Sequence, residues 1–145
     1  MKRRTTPLYK NPATWLGALI GCAVLVILWV AQPTAPRSGG KLVDVREPAQ
    51  YSDRALVGRQ AFNANCAVCH GTNAAGQDGV APPLIHRIYE PGHHGDASFL
   101  RAVTNGVRAH HWPFGDMPAI RGLDREDVML ITAYIRELQH ENGIF

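Results

Sequence analysis

Cys66-Ala67-Val68-Cys69-His70 is the stretch on which the reading of this 145-residue chain turns. Two thiols separated by two residues can reach the two vinyl groups on one edge of a porphyrin, and a histidine directly after the second is delivered under the same face as an iron ligand. The motif reads as an attachment site for one covalent haem c through Cys66 and Cys69, with His70 on the iron. A zinc half-site would need two further ligands, usually another closely spaced Cys or His pair, and no cysteine follows Cys69. A thioredoxin-like dithiol belongs in a βαβ context, which the surrounding sequence lacks.

Upstream of the motif the charge is uneven. Residues 1–40 hold Lys2, Arg3, Arg4, Lys10 and Arg37 with no acid, whereas residues 41–145 hold ten basic against twelve acidic side chains. The basic balance belongs to the N-terminal tail, and nothing points to a nucleic-acid surface. Residues 1–12 read as a basic cytoplasmic segment, and Ala13–Ala31 is a nineteen-residue run without a charge. As a helix it would span about 28 Å, close to the roughly 30 Å hydrocarbon core, so a single transmembrane anchor is expected. Positive charge ahead of it places the N-terminus in the cytoplasm and the rest of the chain on the periplasmic face of a bacterial inner membrane. Covalent haem attachment of this kind takes place on that side of the membrane in bacteria. Ordinary signal cleavage would place Trp29 or Pro33 at an unfavourable position. Leu19-Ile20-Gly21-Cys22 has the form of a lipoprotein box, but Ala23–Val30 continue the apolar run where such sequences usually turn polar. Ala13, Gly17 and Gly21 form a small-residue stripe suited to packing on another helix.

Residues 32–51 read as a linker and arm, Pro-, Ser- and Gly-rich as far as Gly40 and then mixing Leu42, Val43 and Val45 with charges. The domain itself is expected over 52–145 and is all-α. Ser52 or Asp53 can cap a helix with Leu56, Ala61, Phe62 and Ala64 on its apolar face, ending at Cys66. Gly71, Gly76, Gly79, Pro82 and Pro83 make the next stretch a loop. Asp96 is expected to cap a second helix ending at Asn105, with Gly106 as its stop. Val107–Gly122 is irregular and carries His110, His111, Trp112 and Met117. The last helix opens at Asp124 with Asp127 as a capping-box partner, buries Val128, Ile131, Ile135 and Leu138, and ends near His140. Met129 reads as helix core rather than a ligand.

These features together resemble the class I c-type cytochromes, small mono-haem electron carriers, over roughly Ser52–Gln139. Gly58 and Phe62 precede Cys66 at the four-residue intervals of that family's first helix, whose aromatic crosses the last helix near a residue matched by Tyr134. Ala81-Pro82-Pro83-Leu84 is similar to the family's loop whose proline carbonyl accepts a hydrogen bond from the ligand histidine, a role that falls on Pro82. Gly115-Asp116-Met117-Pro118 matches the sixth-ligand loop, which implies Met117 as the second iron ligand, with His110 or His111 as the rival. Class II four-helix cytochromes carry the attachment motif near the C-terminus, unlike this chain. The resemblance also allows Trp112, Tyr89 and Arg87 to touch the propionates or the ring edge. It implies a non-enzymatic electron carrier, tethered to the membrane, between a cytochrome bc1-type complex and a terminal oxidase or other acceptor. The alternatives are a fixed subunit of a larger membrane oxidoreductase and, third, a ligand sensor or enzyme in which Met117 is displaced. A copper or zinc site from the histidine pairs is a further possibility of the sequence.

Overall fold

Ser52 sets the first helix. Its hydroxyl accepts from the Ala55 amide at 3.2 Å, and helix α1 then runs over Asp53–Asn65. This is seen in a computed structural model that describes residues 39–145 together with 21–23 and 25. The chain divides into two units, Met1–Arg37 and Ser38–Phe145. In the first, four residues of the expected apolar run are described and are helical; the expected basic segment, the rest of that run and residues 32–38 of the linker lie outside the described residues. Among the described residues no helix is long and apolar enough to cross a membrane.

The second unit is helical, and among the described residues strand-like pairing is confined to two isolated bridges, Gln77 with Ala81 and Val107 with Met117. After α1 come a single turn, α2 (Ala67–His70), two short 3-10 turns (Thr72–Ala74 and Arg87–Tyr89), α3 (Asp96–Asn105) and α4 (Arg125–Glu141). The opening of α4 is a reciprocal capping box. The Asp127 amide donates to Asp124 at 2.9 Å and the Asp124 amide donates to Asp127 at 3.1 Å, so two orphan donors are satisfied at once.

The core lies where α1 crosses α4. Ala55 and Phe62 from one side meet Ile131, Tyr134, Ile135 and Leu138 from the other, and Ala74, Leu84 and Ile85 close it from the loop. Burial of each large side chain is worth about 1.5–3 kcal/mol, and the aromatic pairing adds to it. Phe62 and Tyr134 pack with ring centres 5.5 Å apart and planes tilted by 55°, and the Tyr51 ring lies 5.6 Å from Tyr134. The crossing is close because Gly58 has no side chain: a Cβ there would sit 1.9 Å from the Leu130 carbonyl oxygen.

Three expectations need correction. The inward face of α1 is Ala55, Gly58 and Phe62, whereas Leu56 and Ala64 are exposed. The Phe62 register against α4 decides which face turns in, and Leu56 is on the other. Gly95, not Asp96, occupies the N-cap of α3, with no side-chain cap, because the Asp96 carboxylate turns to Arg136 on α4 at 2.9 Å. Met129 projects from the outer face of α4 at 47% exposure and is not core, since the buried stripe runs through Val128, Ile131 and Ile135.

Residues 41–51 are an extended arm fastened to the helices. The Leu42 and Val43 amides both donate to Ala75 O at 3.1 and 3.2 Å, and the Arg46 amide donates to Asn142 at 3.0 Å. Glu47 pairs with Arg59 at 3.0 Å and accepts from Asn73 at 2.7 Å, and the Ser52 hydroxyl donates to Glu137 at 2.6 Å.

Candidate functional site

The attachment motif is the continuation of α1 through a break. Cys66 closes α1 by donating its amide to Phe62 O at 2.7 Å, and its own carbonyl accepts from Cys69 and His70 at 3.1 and 2.9 Å. One helical turn thus carries Cys66, Cys69 and His70 at i, i+3 and i+4, on one face. Both thiols are free, Cys66 half-buried and Cys69 exposed. Burial, then the charge of Cys69, pushes the Cys66 thiol up to about 11, so it stays protonated at neutral pH until it is used.

The loop after the motif folds back over it. Gly71 turns the chain with φ +73°, and Gly76 donates its amide to His70 O at 2.7 Å. The Gln77 side chain donates to Val68 O at 2.9 Å, and the Leu84 amide donates to Ala74 O at 2.9 Å. This sets the Pro82 carbonyl 2.9 Å from His70 Nδ1. A carbonyl can only accept, so Nδ1 carries the hydrogen and Nε2 keeps its lone pair. Burial, the larger influence, lowers the His70 pKa, and the Pro82 contact opposes it, so the ring is neutral at physiological pH. A neutral imidazole oriented through its second nitrogen is the state in which histidine ligates a metal.

A polar network beneath that loop was not legible in the sequence. The buried Gln139 side chain donates to Leu84 O at 2.9 Å and to Tyr89 O at 3.1 Å. Arg136 donates to Tyr89 O, Gln139 Oε1 and His94 O, each at 2.6 Å, and to Asp96 at 2.9 Å, with its guanidinium over the Phe99 ring. Side chain and loop carbonyls therefore hold residues 84–94 onto α4. Arg136→Met should lower the unfolding free energy by about 2 kcal/mol, since charged donors to half-buried carbonyls are lost. A denaturant midpoint equal to wild type would show that the network is idle.

Met117 reaches the fold on a different segment. It exchanges both backbone hydrogen bonds with Val107 at 2.9 Å, and Asp116 accepts from the Ala109 amide at 2.8 Å. Gly106 makes room, since a Cβ there would lie 2.6 Å from Met117 O. His110 and His111 face each other with ring centres 4.2 Å apart and approach His93 and His94. Loss of hydration, then the neighbouring rings of His110, His94 and His93, hold the His111 pKa below its ordinary value. Trp112 meets His86 edge-on at 5.1 Å, Tyr89 is half-buried and Arg87 is exposed.

A family model described as cytochrome c matches residues 55–139, well over half of the chain. The chain belongs to the cytochrome c family. Its similarity to class I c-type cytochromes extends to individual proteins. It is 44% identical over 63 residues to cytochrome c550 of Pseudomonas aeruginosa, spanning 43% of this chain and 41% of that one. It is 36% identical over 93 residues to the Cbb3-type cytochrome c oxidase subunit FixP of Bradyrhizobium, spanning 63% and 30%. It is also 36% identical over 88 residues to the Cbb3-type cytochrome c oxidase subunit CcoP of Azospirillum brasilense, spanning 56% and 27%. The chain therefore covers between about a quarter and two fifths of the length of these relatives. Membership of the cytochrome c family implies covalently bound haem c, and Cys66 and Cys69 have the required CxxCH spacing. The residues of the site suit that group: one helical face presents both thiols and a neutral imidazole whose free nitrogen is Nε2.

Proposed function

We propose that the protein is a membrane-tethered mono-haem cytochrome c that passes single electrons between respiratory or photosynthetic complexes. When bound, the haem supplies a one-electron iron couple. Cys66 and Cys69 would hold it, and His70 through Nε2 and Met117 through its thioether sulfur would serve as the iron ligands. The Pro82 carbonyl keeps His70 oriented and in one tautomer, so little needs to move when charge changes. The observation that carries the reading is the 2.9 Å contact of His70 Nδ1 with Pro82 O directly behind the CxxCH turn. Residues 13–31 form the anchor, with the N-terminus cytoplasmic and the haem domain periplasmic; the charge-free run and the basic residues before it support this. Tethering raises the effective concentration of the carrier near its partners, a bc1-type complex and a terminal oxidase or another acceptor.

Two relatives named as Cbb3-type oxidase subunits favour a second reading, a fixed electron-entry subunit of a membrane oxidoreductase. Gentle detergent extraction separates the two: a free monomer is expected for the carrier, stable co-migration with a large complex for the subunit. The shared redox reading predicts one haem per chain, a single one-electron wave on titration, and no rapid carbon monoxide binding by the reduced protein in native buffer. Rapid carbon monoxide binding would instead make Met117 a displaceable ligand and the protein a sensor or enzyme.

A further inference from the structure

A second cluster of imidazoles lies apart from the attachment turn. His93 and His94 follow the 3-10 turn Arg87–Tyr89, and His111 comes from the loop that carries Met117. One ring nitrogen from each of the three lies within 4.8 Å of the others. Around a tetrahedral ion with bonds of 2.0–2.1 Å, donor atoms sit about 3.3 Å apart, so small rotations about the side-chain torsions close the remaining gap. We propose that His93, His94 and His111 form a binding site for a divalent ion of the imidazole-preferring class, Zn2+ or Cu2+, separate from the haem iron.

The backbone around the cluster is held in place. The amides of His93 and His94 both donate to Glu90 O, at 3.0 and 2.8 Å, and Arg136 fixes the His94 carbonyl at 2.6 Å. His94 Nδ1 lies 2.5 Å from Ile88 O, which can only accept, so Nδ1 is the protonated nitrogen and Nε2 keeps its lone pair. That is the arrangement by which an outer carbonyl orients a metal-binding histidine. His111 is carried by a loop closed through the Val107–Met117 bridge and the Asp116–Ala109 bond. His110 lies beside the cluster, 4.2 Å from His111 ring to ring, with its Nδ1 2.8 Å from Arg108 O. An all-nitrogen set selects against Ca2+ and Mg2+, which take oxygen ligands, and towards Zn2+, Cu2+ and their neighbours. His93 and His111 are exposed, so an ion can enter without opening the fold.

The test uses the full chain with haem attached, so that the cysteine sulfurs are consumed and cannot bind the ion. Titration with Zn2+ alone at pH 7.5 in a non-chelating buffer should show one equivalent bound per chain. Affinity should fall at least tenfold in His111→Gln and about a hundredfold in His93→Gln/His94→Gln, and stay within twofold in the control His140→Gln. With Cu2+ alone, electron paramagnetic resonance should show splitting from several imidazole nitrogens that is lost in the double variant. The haem absorption spectrum of the double variant, unchanged from wild type, shows that the fold and iron site are intact. Absence of a stoichiometric site, or Zn2+ binding that survives substitution of all three histidines, overturns the proposal. A changed haem spectrum in His111→Gln alone would instead place His111 on the iron and overturn both this site and the Met117 assignment.

Discussion

With Met117 as the proposed iron ligand, Met117→Ala is expected to lower the midpoint reduction potential by on the order of 0.1 V, a modest part of the roughly 0.8 V that axial ligation spans, and to remove the sulfur-to-iron charge-transfer band of the oxidised protein. The soft thioether favours ferrous over ferric iron, so its loss favours the oxidised state. What isolates the effect is the way the loop is built. Met117 is fastened by its own backbone to Val107, and Asp116 by its side chain to the Ala109 amide, and neither bond involves the Met117 side chain. Alanine therefore removes the sulfur without unravelling the loop. The reduced variant should also bind carbon monoxide, because a coordination position has opened. Redox titration with absorption spectra checks all of this. A spectrum and potential equal to wild type would transfer the ligand role to another residue, with His110 and His111 on the same loop the first to test.

Gly58→Ala destabilises the domain by about 3 kcal/mol, which lowers the melting temperature by roughly 10–20 °C. Two effects compete, and their sizes decide the sign. Alanine in a helix interior is better than glycine by about 1 kcal/mol, so propensity alone predicts a stabler protein. Against that, the new Cβ would lie 1.9 Å from the Leu130 carbonyl oxygen and 2.5 Å from its carbon, backbone atoms that cannot rotate away. Helices α1 and α4 would have to separate by more than an ångström, which loosens the Phe62–Tyr134 contact and the Ile131 and Ile135 packing around it. Gly92→Ala is the control, since a Cβ there meets nothing within 4 Å. Thermal unfolding of the two haem-loaded variants distinguishes the effects, and a Gly58→Ala protein as stable as wild type would mean that the crossing yields easily.

The helices were legible because their ends carry local chemistry. Ser52, Gly106 and the Asp124–Asp127 pair mark termini through side chains or a backbone conformation that the sequence displays. The attachment turn was legible because its residues are consecutive. Asp96 misled because two partners compete for one carboxylate, and the salt bridge to Arg136, forty residues away, won over the local cap. Leu56 misled because the apolar residues of α1 are spread around the helix with hardly any amphipathic bias, so the packed glycine and not the hydrophobic pattern sets its inner face. The Arg136 and Gln139 network and the fastening of the expected arm to Ala75 were hidden for a common reason. Their partners are main-chain carbonyls at Leu84, Tyr89, His94 and Ala75, which look alike at every position in a sequence. The histidine cluster combines two loops whose approach no periodicity encodes.

The arm also has a mechanical meaning. Any pull arriving from upstream of Gly39 meets the Asp78 amide bonded to Gly40 O, then the Ala75 carbonyl, then Asn142 and Arg59, and at Ser52 the Glu137 carboxylate. The load is shared among fastenings on the loop, on α1 and at the C-terminal end of α4 before it can reach Cys66. Strain is thereby shed into the periphery, and the geometry of the turn that ends in His70 is insulated from whatever tugs on the chain ahead of it.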